Sequence, residues 1–263
     1  MNAPSRPETI FKYFGSERAG ILKDLRIRFA NPAEFNDPYE VCPRFDVAAE
    51  KTATKAVRNL VILDTQLGIP QKRASELLED CKKRVLADRV MYHTHRFQKE
   101  CGEKFRMLCF SANIQSPLMW GHYCDSHSGF ALGFDGEHEF FKDLYPVFYD
   151  EHRPHADDPI KGQLIPLTKN FEWGYEEEWR IVRPVHSTAA YFETLPVECI
   201  KAVYFGLRIS PALRWNIEMA LKLPQCENIQ TFQMALDVAD YKLIPVPVQK
   251  TPPDVGWWLG EGI

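Results

Sequence analysis

The sequence predicts an α+β fold, a core of short strands with helices gathered near its start, in an insertion and near its end. Three observations predict it. Apolar residues recur with period two over short runs, and 19 prolines and 14 glycines separate those runs. From about residue 48 to 105 the pattern changes to helix. With 263 residues, 45% of them hydrophobic, the chain can bury the core of one large domain. The expected organisation is a single domain over 1–263 with a helical insertion at about 48–105.

The elements follow in order. Thr9-Ile10-Phe11-Lys12-Tyr13-Phe14 reads as a strand, and Gly15-Ser16 as a turn in which Ser16 caps a helix over 17–24. Apolar and basic residues then alternate over 25–29, as in a half-buried strand. Asn31 to Glu40 is turn chemistry, because Asn and Asp bond nearby backbone and Pro fixes φ. In the insertion Leu77, Leu78, Cys81, Val85 and Leu86 share a helical face that Val90, Tyr92 and Phe97 extend. Strand patterns resume at 106–111, 129–134, 145–149, 179–182, 200–206 and 241–248. A helix is expected over 211–223, and Trp257-Trp258 as a docking tail.

Composition narrows the function. The net charge is -4, which advertises no nucleic-acid surface, although Lys and Arg outnumber Asp and Glu in the insertion. That excess reads either as a solvated helical face or as a platform for a polyanion. Seven scattered cysteines with no C-x-x-C pair argue against a disulfide scaffold or a zinc ribbon. No apolar run approaches the roughly 18 residues of a membrane span, and the polar start lacks an apolar leader core. A soluble, cytoplasmic protein is expected, without a membrane partner.

Nucleotide-binding glycine motifs, H-E-x-x-H and G-x-S-x-G are all absent. What stands out is Ser111, Trp120, His122, Tyr123 and His127 between two strands, and Glu176-Glu177-Glu178 at the start of a third. In extended chain Glu176 and Glu178 share a side, and two carboxylates there raise one pKa unless a cation compensates. Such a pair suits acid/base work or stabilisation of a developing cation; an exposed pair at a strand start is the bland alternative. His122 and His127 lack the spacing of a helical metal pair, so no metal is expected. Trp120 and Tyr123 read as core or as a wall that stacks a planar ligand.

The sequence resembles a bacterial family known only as domain of unknown function 2971. The resemblance lies in Phe11-Lys12-Tyr13, Phe35-Asn36-Asp37-Pro38-Tyr39-Glu40, Cys109-Phe110-Ser111 with Leu118 to Tyr123 and His127 to Phe130, and Trp173 to Arg180. The order of elements is also similar to the ADP-ribosyltransferase fold, which cleaves NAD and transfers ADP-ribose to a protein or nucleic acid. That similarity implies an NAD substrate, with Glu178 stabilising the ribosyl cation, Glu176 serving the acceptor and Ser111 positioning Glu178 or the ribose. It implies Lys12 at the position usually held by His or Arg, Tyr13, Trp120 and Tyr123 as stacking groups, and His122, His127 and Arg180 around the diphosphate. A setting in toxin action or phage defence is implied as well. Two alternatives stay open: a nucleotide or nucleic-acid binding protein without catalysis, and a hydrolase or nuclease using the histidines and glutamates.

Overall fold

The computed structural model describes residues 4–44, 71–156, 161–185 and 190–248. In chain order the elements are β1 (Thr9–Phe14), α1 (Ile21–Asp24), β2 (Arg26–Phe29), α2 (Gln71–Lys104), β3 (Phe105–Ser111), α3 (Pro117–Tyr123), β4 (Phe130–Asp135), β5 (Leu144–Pro146), β6 (Phe148–Asp150), β7 (Thr168–Asn170), β8 (Glu178–Pro184), β9 (Tyr191–Thr194), β10 (Ile200–Phe205), α4 (Pro211–Ala220), β11 (Gln230–Leu236) and β12 (Leu243–Pro247). The fold is mixed α+β and its strands pair mostly antiparallel. The chain forms two units, one of Met1–Pro4, Arg28–Cys109 and Asp143–Glu193, the other of Ser5–Ile27, Phe110–Lys142 and Thr194–Ile263.

In the second unit the strands run β12-β11-β10-β4-β1. β4 pairs antiparallel with both β1 and β10, and every residue from Phe130 to Phe134 is buried. A strand covered on both faces reads as a continuous apolar run, which is why Phe130-Ala131-Leu132-Gly133-Phe134 was legible. Phe110, Phe134 and Phe141 meet edge to face in this core. Helix α4 buries Leu213, Ile217 and Ala220, one stripe at helical spacing, and starts where the Ser210 hydroxyl accepts the Leu213 N–H at 3.2 Å ahead of Pro211.

The first unit has β3, β8 and β5 as neighbours and a parallel β6–β7 pair. Its core gathers Val41, Cys101, Met107 and Ile165, with Phe35, Phe97, Phe105, Cys109 and Val182 packed around them. α2 runs 34 residues and holds to this core through Thr94, Phe97 and Cys101 near its C-terminal end.

Several expectations change. Ser16 does not cap a helix: its N–H and hydroxyl both go to Asp125 Oδ2, at 2.8 and 3.0 Å, so 16–18 tighten into a 3-10 turn and α1 begins only after Gly20. The strand expected over 145–149 divides into β5, which pairs antiparallel with β8, and β6, which pairs parallel with β7. Val90 and Tyr92 are exposed, because the helix carries no continuous apolar stripe there. β11 escaped notice because only Met234 of its seven residues is buried. The insertion's first part, 45–70, and Trp257-Trp258 lie outside the described residues.

Two glycines make a test of this packing. A Cβ on Gly206 would overlap the His127 and Gly129 carbonyl oxygens, whereas one on Gly20 meets nothing within 4 Å. Gly206→Ala should destabilise by about 1–3 kcal/mol, and Gly20→Ala, at an ordinary helical φ of -76°, should leave stability unchanged or raise it by up to about 1 kcal/mol. Chemical denaturation of the two variants checks both.

Candidate functional site

The chemistry of the first unit converges on Arg180. Side chains alternate along a strand, so Glu178 and Arg180 share one face of β8. Arg180 Nε donates to Glu178 Oε1 at 2.8 Å and Nη2 to Oε2 at 2.9 Å. From another part of the chain Glu40 accepts from Nη1 at 2.6 Å and Nη2 at 2.9 Å, and the Pro166 carbonyl accepts from Nη1 at 2.7 Å. A guanidinium has five N–H donors, and these five bonds use all of them. Arg180 is fully buried, and the Phe35 ring lies 5.8 Å from its guanidinium carbon.

Local chemistry explains how each partner arrives. Glu40 follows the Asn36-Asp37-Pro38 turn, in which Asp37 Oδ1 accepts the Tyr39 N–H at 2.8 Å and the Asp37 carbonyl accepts the Glu40 N–H at 3.0 Å. Gln98 of α2 clamps the same turn through the Pro38 and Glu40 carbonyls. Residues 171–176 form a 3-10 turn capped by the Asn170 side chain, and Glu177 is left-handed at φ 45° before β8 begins. The Glu178 N–H donates to the Tyr149 hydroxyl at 2.8 Å. Lys169, on β7, places its ammonium 2.6 Å from Glu176 Oε2, 3.4 Å from Glu178 Oε2 and 4.5 Å from the centre of the Trp173 ring.

Three carboxylates thus face two cations, all buried. Burial would push Glu178 up, but Arg180 and Lys169 beside it hold it down to about 2, so it is ionised at neutral pH. The Cys109 thiol also bonds it. Glu40 goes the other way: burial outweighs the pull of Arg180 and raises it. The compensating cation that the sequence pattern demanded is therefore present twice: Glu178 is lowered, and the raised carboxylate is Glu40.

A cleft of about 300 Å³ opens beside this cluster, lined by Tyr39, Cys42, Arg153, Thr168, Lys169 and Asn170 among others. Arg153 Nη1 donates to Cys42 Sγ at 3.2 Å, and its guanidinium lies 5.6 Å from the Tyr39 ring. Lys169 is the residue common to the cleft and the buried cluster.

The remaining sequence-predicted residues lie in the second unit. Tyr13 donates through its hydroxyl to the Asn113 carbonyl and meets Trp120 edge to face at 5.2 Å. Ser111 donates to the same carbonyl at 3.2 Å and accepts the Asn113 N–H at 2.9 Å. Trp120 is fully buried with its indole N–H on the Ile114 carbonyl, so it is a core side chain and has no face left for a planar ligand. Lys12 lies 5.8 Å from the Phe110 ring centre and 5.9 Å from that of Phe14. His122 is exposed, Tyr123 half-buried, and His127 closes a left-handed turn. Within the first unit Glu176, Glu178 and Arg180 do come together. Arg180, however, has no N–H left for a diphosphate, which corrects the role the resemblance implied.

Glu40 and Lys169 went unassigned in the sequence. Glu40 stood in a quoted motif, but nothing in a linear pattern pairs it with a residue 140 positions away. Among the described residues no group of three or more His, Cys, Asp or Glu could hold a metal, and no helix is long and apolar enough to cross a membrane.

One family model matches, that of a protein of unknown function, DUF2971, over residues 119–181. Over those residues the chain is similar to that family. The match spans α3 from Met119 on, the left-handed turn, Lys169 and the Glu176-to-Arg180 stretch, and leaves Lys12, Glu40 and Ser111 outside. No curated protein and no solved structure matches the chain.

The opposed shifts give a pH test. Glu178 has its folded pKa depressed from 4.5 to about 2, so its contribution is complete above 4.5 and lost as pH falls from 4.5 through 2. Glu40 has its folded pKa raised, so protonation favours the fold: that contribution is present below 4.5 and lost as pH rises through the raised value. The stability gap between wild type and Glu178→Gln should therefore narrow by on the order of 3 kcal/mol between neutral pH and pH 2. The gap for Glu40→Gln should widen as pH falls from 7 to 4. Denaturant midpoints across pH measure both.

Proposed function

We infer that this protein is an ADP-ribosyltransferase-like enzyme that takes NAD as substrate and delivers ADP-ribose to a protein or nucleic acid. A toxin or phage-defence setting goes with that reading. The observation that carries it is a glutamate at the opening of β8, held ionised by two cations, with one of those cations lining a cleft. Breaking the bond between nicotinamide and ribose builds positive charge on the sugar, and an ionised carboxylate fixed beforehand stabilises that charge more than it stabilises the ground state. Lys169 stands farther from Glu178, at 3.4 Å, than the Arg180 nitrogens do, and is the contact a ribose hydroxyl would displace most easily. Glu176 would then serve the acceptor.

One observation favours a second reading. Both Glu178 oxygens already accept from Arg180, an arrangement that also suits a locked scaffold binding a nucleotide without turning it over.

Nicotinamide release and NAD-induced thermal stabilisation separate the two. The enzyme reading expects release by wild type and a loss of about 100-fold or more in Glu178→Gln, with the exposed Glu177→Gln unaffected and circular dichroism confirming both folds. Stabilisation by NAD with no release assigns the second reading. Absence of both release and stabilisation rules out NAD as the substrate.

A further inference from the structure

Arg153 brings a guanidinium to the cleft of the first unit, half-buried and without a carboxylate partner among the described residues. One of its N–H donors goes to Cys42 Sγ at 3.2 Å, and sulfur is a weak acceptor. Arg180, by contrast, has all five of its donors on oxygen. Arg153 therefore keeps donors to give.

The chain fixes this side chain from several directions. Ahead of it Asp150 Oδ1 accepts the His152 N–H at 2.9 Å, which closes a tight turn. Behind it the Pro154 carbonyl accepts the Arg44 N–H at 2.8 Å and the Arg44 carbonyl accepts the Ala156 N–H at 2.9 Å, so the segment is tied to the chain just past Cys42. The Tyr39 ring centre lies 5.6 Å from the guanidinium carbon. An arginine held at one nitrogen and against one ring has little freedom left to lose on binding.

The rest of the lining selects the ligand. Lys169 is committed to Glu176 and Glu178, and the Thr168 hydroxyl donates to the Leu164 carbonyl at 2.9 Å. Two exposed carboxylates line the same cleft, Asp150 and Glu151. Asp150 Oδ1 also has His152 Nδ1 at 3.8 Å, while its Oδ2 has no partner among the described residues. Two negative charges beside one open guanidinium oppose a dianion such as a phosphate monoester, and they suit a monoanion that carries a cation of its own. A planar carboxylate matches the guanidinium fork. At about 300 Å³ the cleft stands at the small end of ligand sites, which fits a single small molecule.

We propose that this cleft binds a free α-amino acid, with its carboxylate on the Arg153 guanidinium and its ammonium on Asp150, Glu151 adding to the negative potential there. The site is independent of the NAD reading, because it needs neither Glu178 nor a reaction.

A thermal-shift screen of the proteinogenic amino acids against wild-type protein, followed by calorimetry on the best of them, tests it. At least one amino acid is expected to bind saturably, about tenfold or more tighter than inorganic phosphate and than its own decarboxylated amine. Arg153→Gln should weaken that binding about tenfold or more, and so should Asp150→Asn made together with Glu151→Gln. Lys222→Ala, at an exposed cation of the second unit, should bind as wild type does. The substituted side chains lie outside the buried ionic cluster, so unchanged denaturation midpoints are expected and the variants report binding. Saturable binding by no amino acid, equal binding of phosphate or of the amine, or undiminished binding by Arg153→Gln or by the doubly substituted variant each overturns the proposal.

Discussion

The first unit depends on one guanidinium. Arg180 has no solvent exposure, and an unpaired cation there would cost several kcal/mol. It is tolerable only because all five N–H groups find oxygens from three separate parts of the chain: the 36–40 turn, the Pro166 segment and its own strand. The constraint runs in both directions. Glu40 and Glu178 cannot be buried without Arg180, and Arg180 cannot be buried without both of them. Lys169 then joins Glu178 to Glu176, so β7, the 3-10 turn before β8 and β8 itself are fixed as a set.

This arrangement is an expensive way to gain stability. Well-packed apolar side chains of the same volume often do as well or better, so an ionic cluster is better understood as fixing one geometry among several. Here the geometry fixed is that of Glu178, an ionised carboxylate close to a cleft. The same bonds that hold it ionised also occupy it. Structure and function compete for those two oxygens, and that competition divides a transferring enzyme from a binding scaffold.

Much of the frame was legible in the sequence because its signals are local. Thr9-Ile10-Phe11-Lys12-Tyr13-Phe14 and Ile200 to Phe205 are strands by composition, and Ser210-Pro211 marks a helix start by cap chemistry. What was not legible depends on distant partners. Ser16 looks like a cap until Asp125 claims it from 109 positions away. Trp120 looks like a pocket wall until Tyr13 and the Ile114 carbonyl enclose it. The glutamate triplet announced chemistry, but its distant partners come from a turn, Glu40, and from a three-residue strand, Lys169, whose local patterns say nothing of charge pairing. The net charge of -4 was equally uninformative, because the charges that matter are paired inside the buried cluster.

The most direct measure of this account is a double-mutant cycle between Glu40 and Arg180, with Glu40→Gln, Arg180→Met and the double variant unfolded in denaturant. If the cluster is the constraint described, Arg180→Met sets three buried carboxylates against Lys169 alone and costs about 3–5 kcal/mol, and Glu40→Gln removes the charged acceptor of two Arg180 N–H groups and costs about 2–3 kcal/mol. The double change should then cost much less than the sum, with a coupling of at least about 2 kcal/mol. Additive losses, with coupling near zero, would contradict it, because they would mean that Glu40 and Arg180 are buried independently of one another.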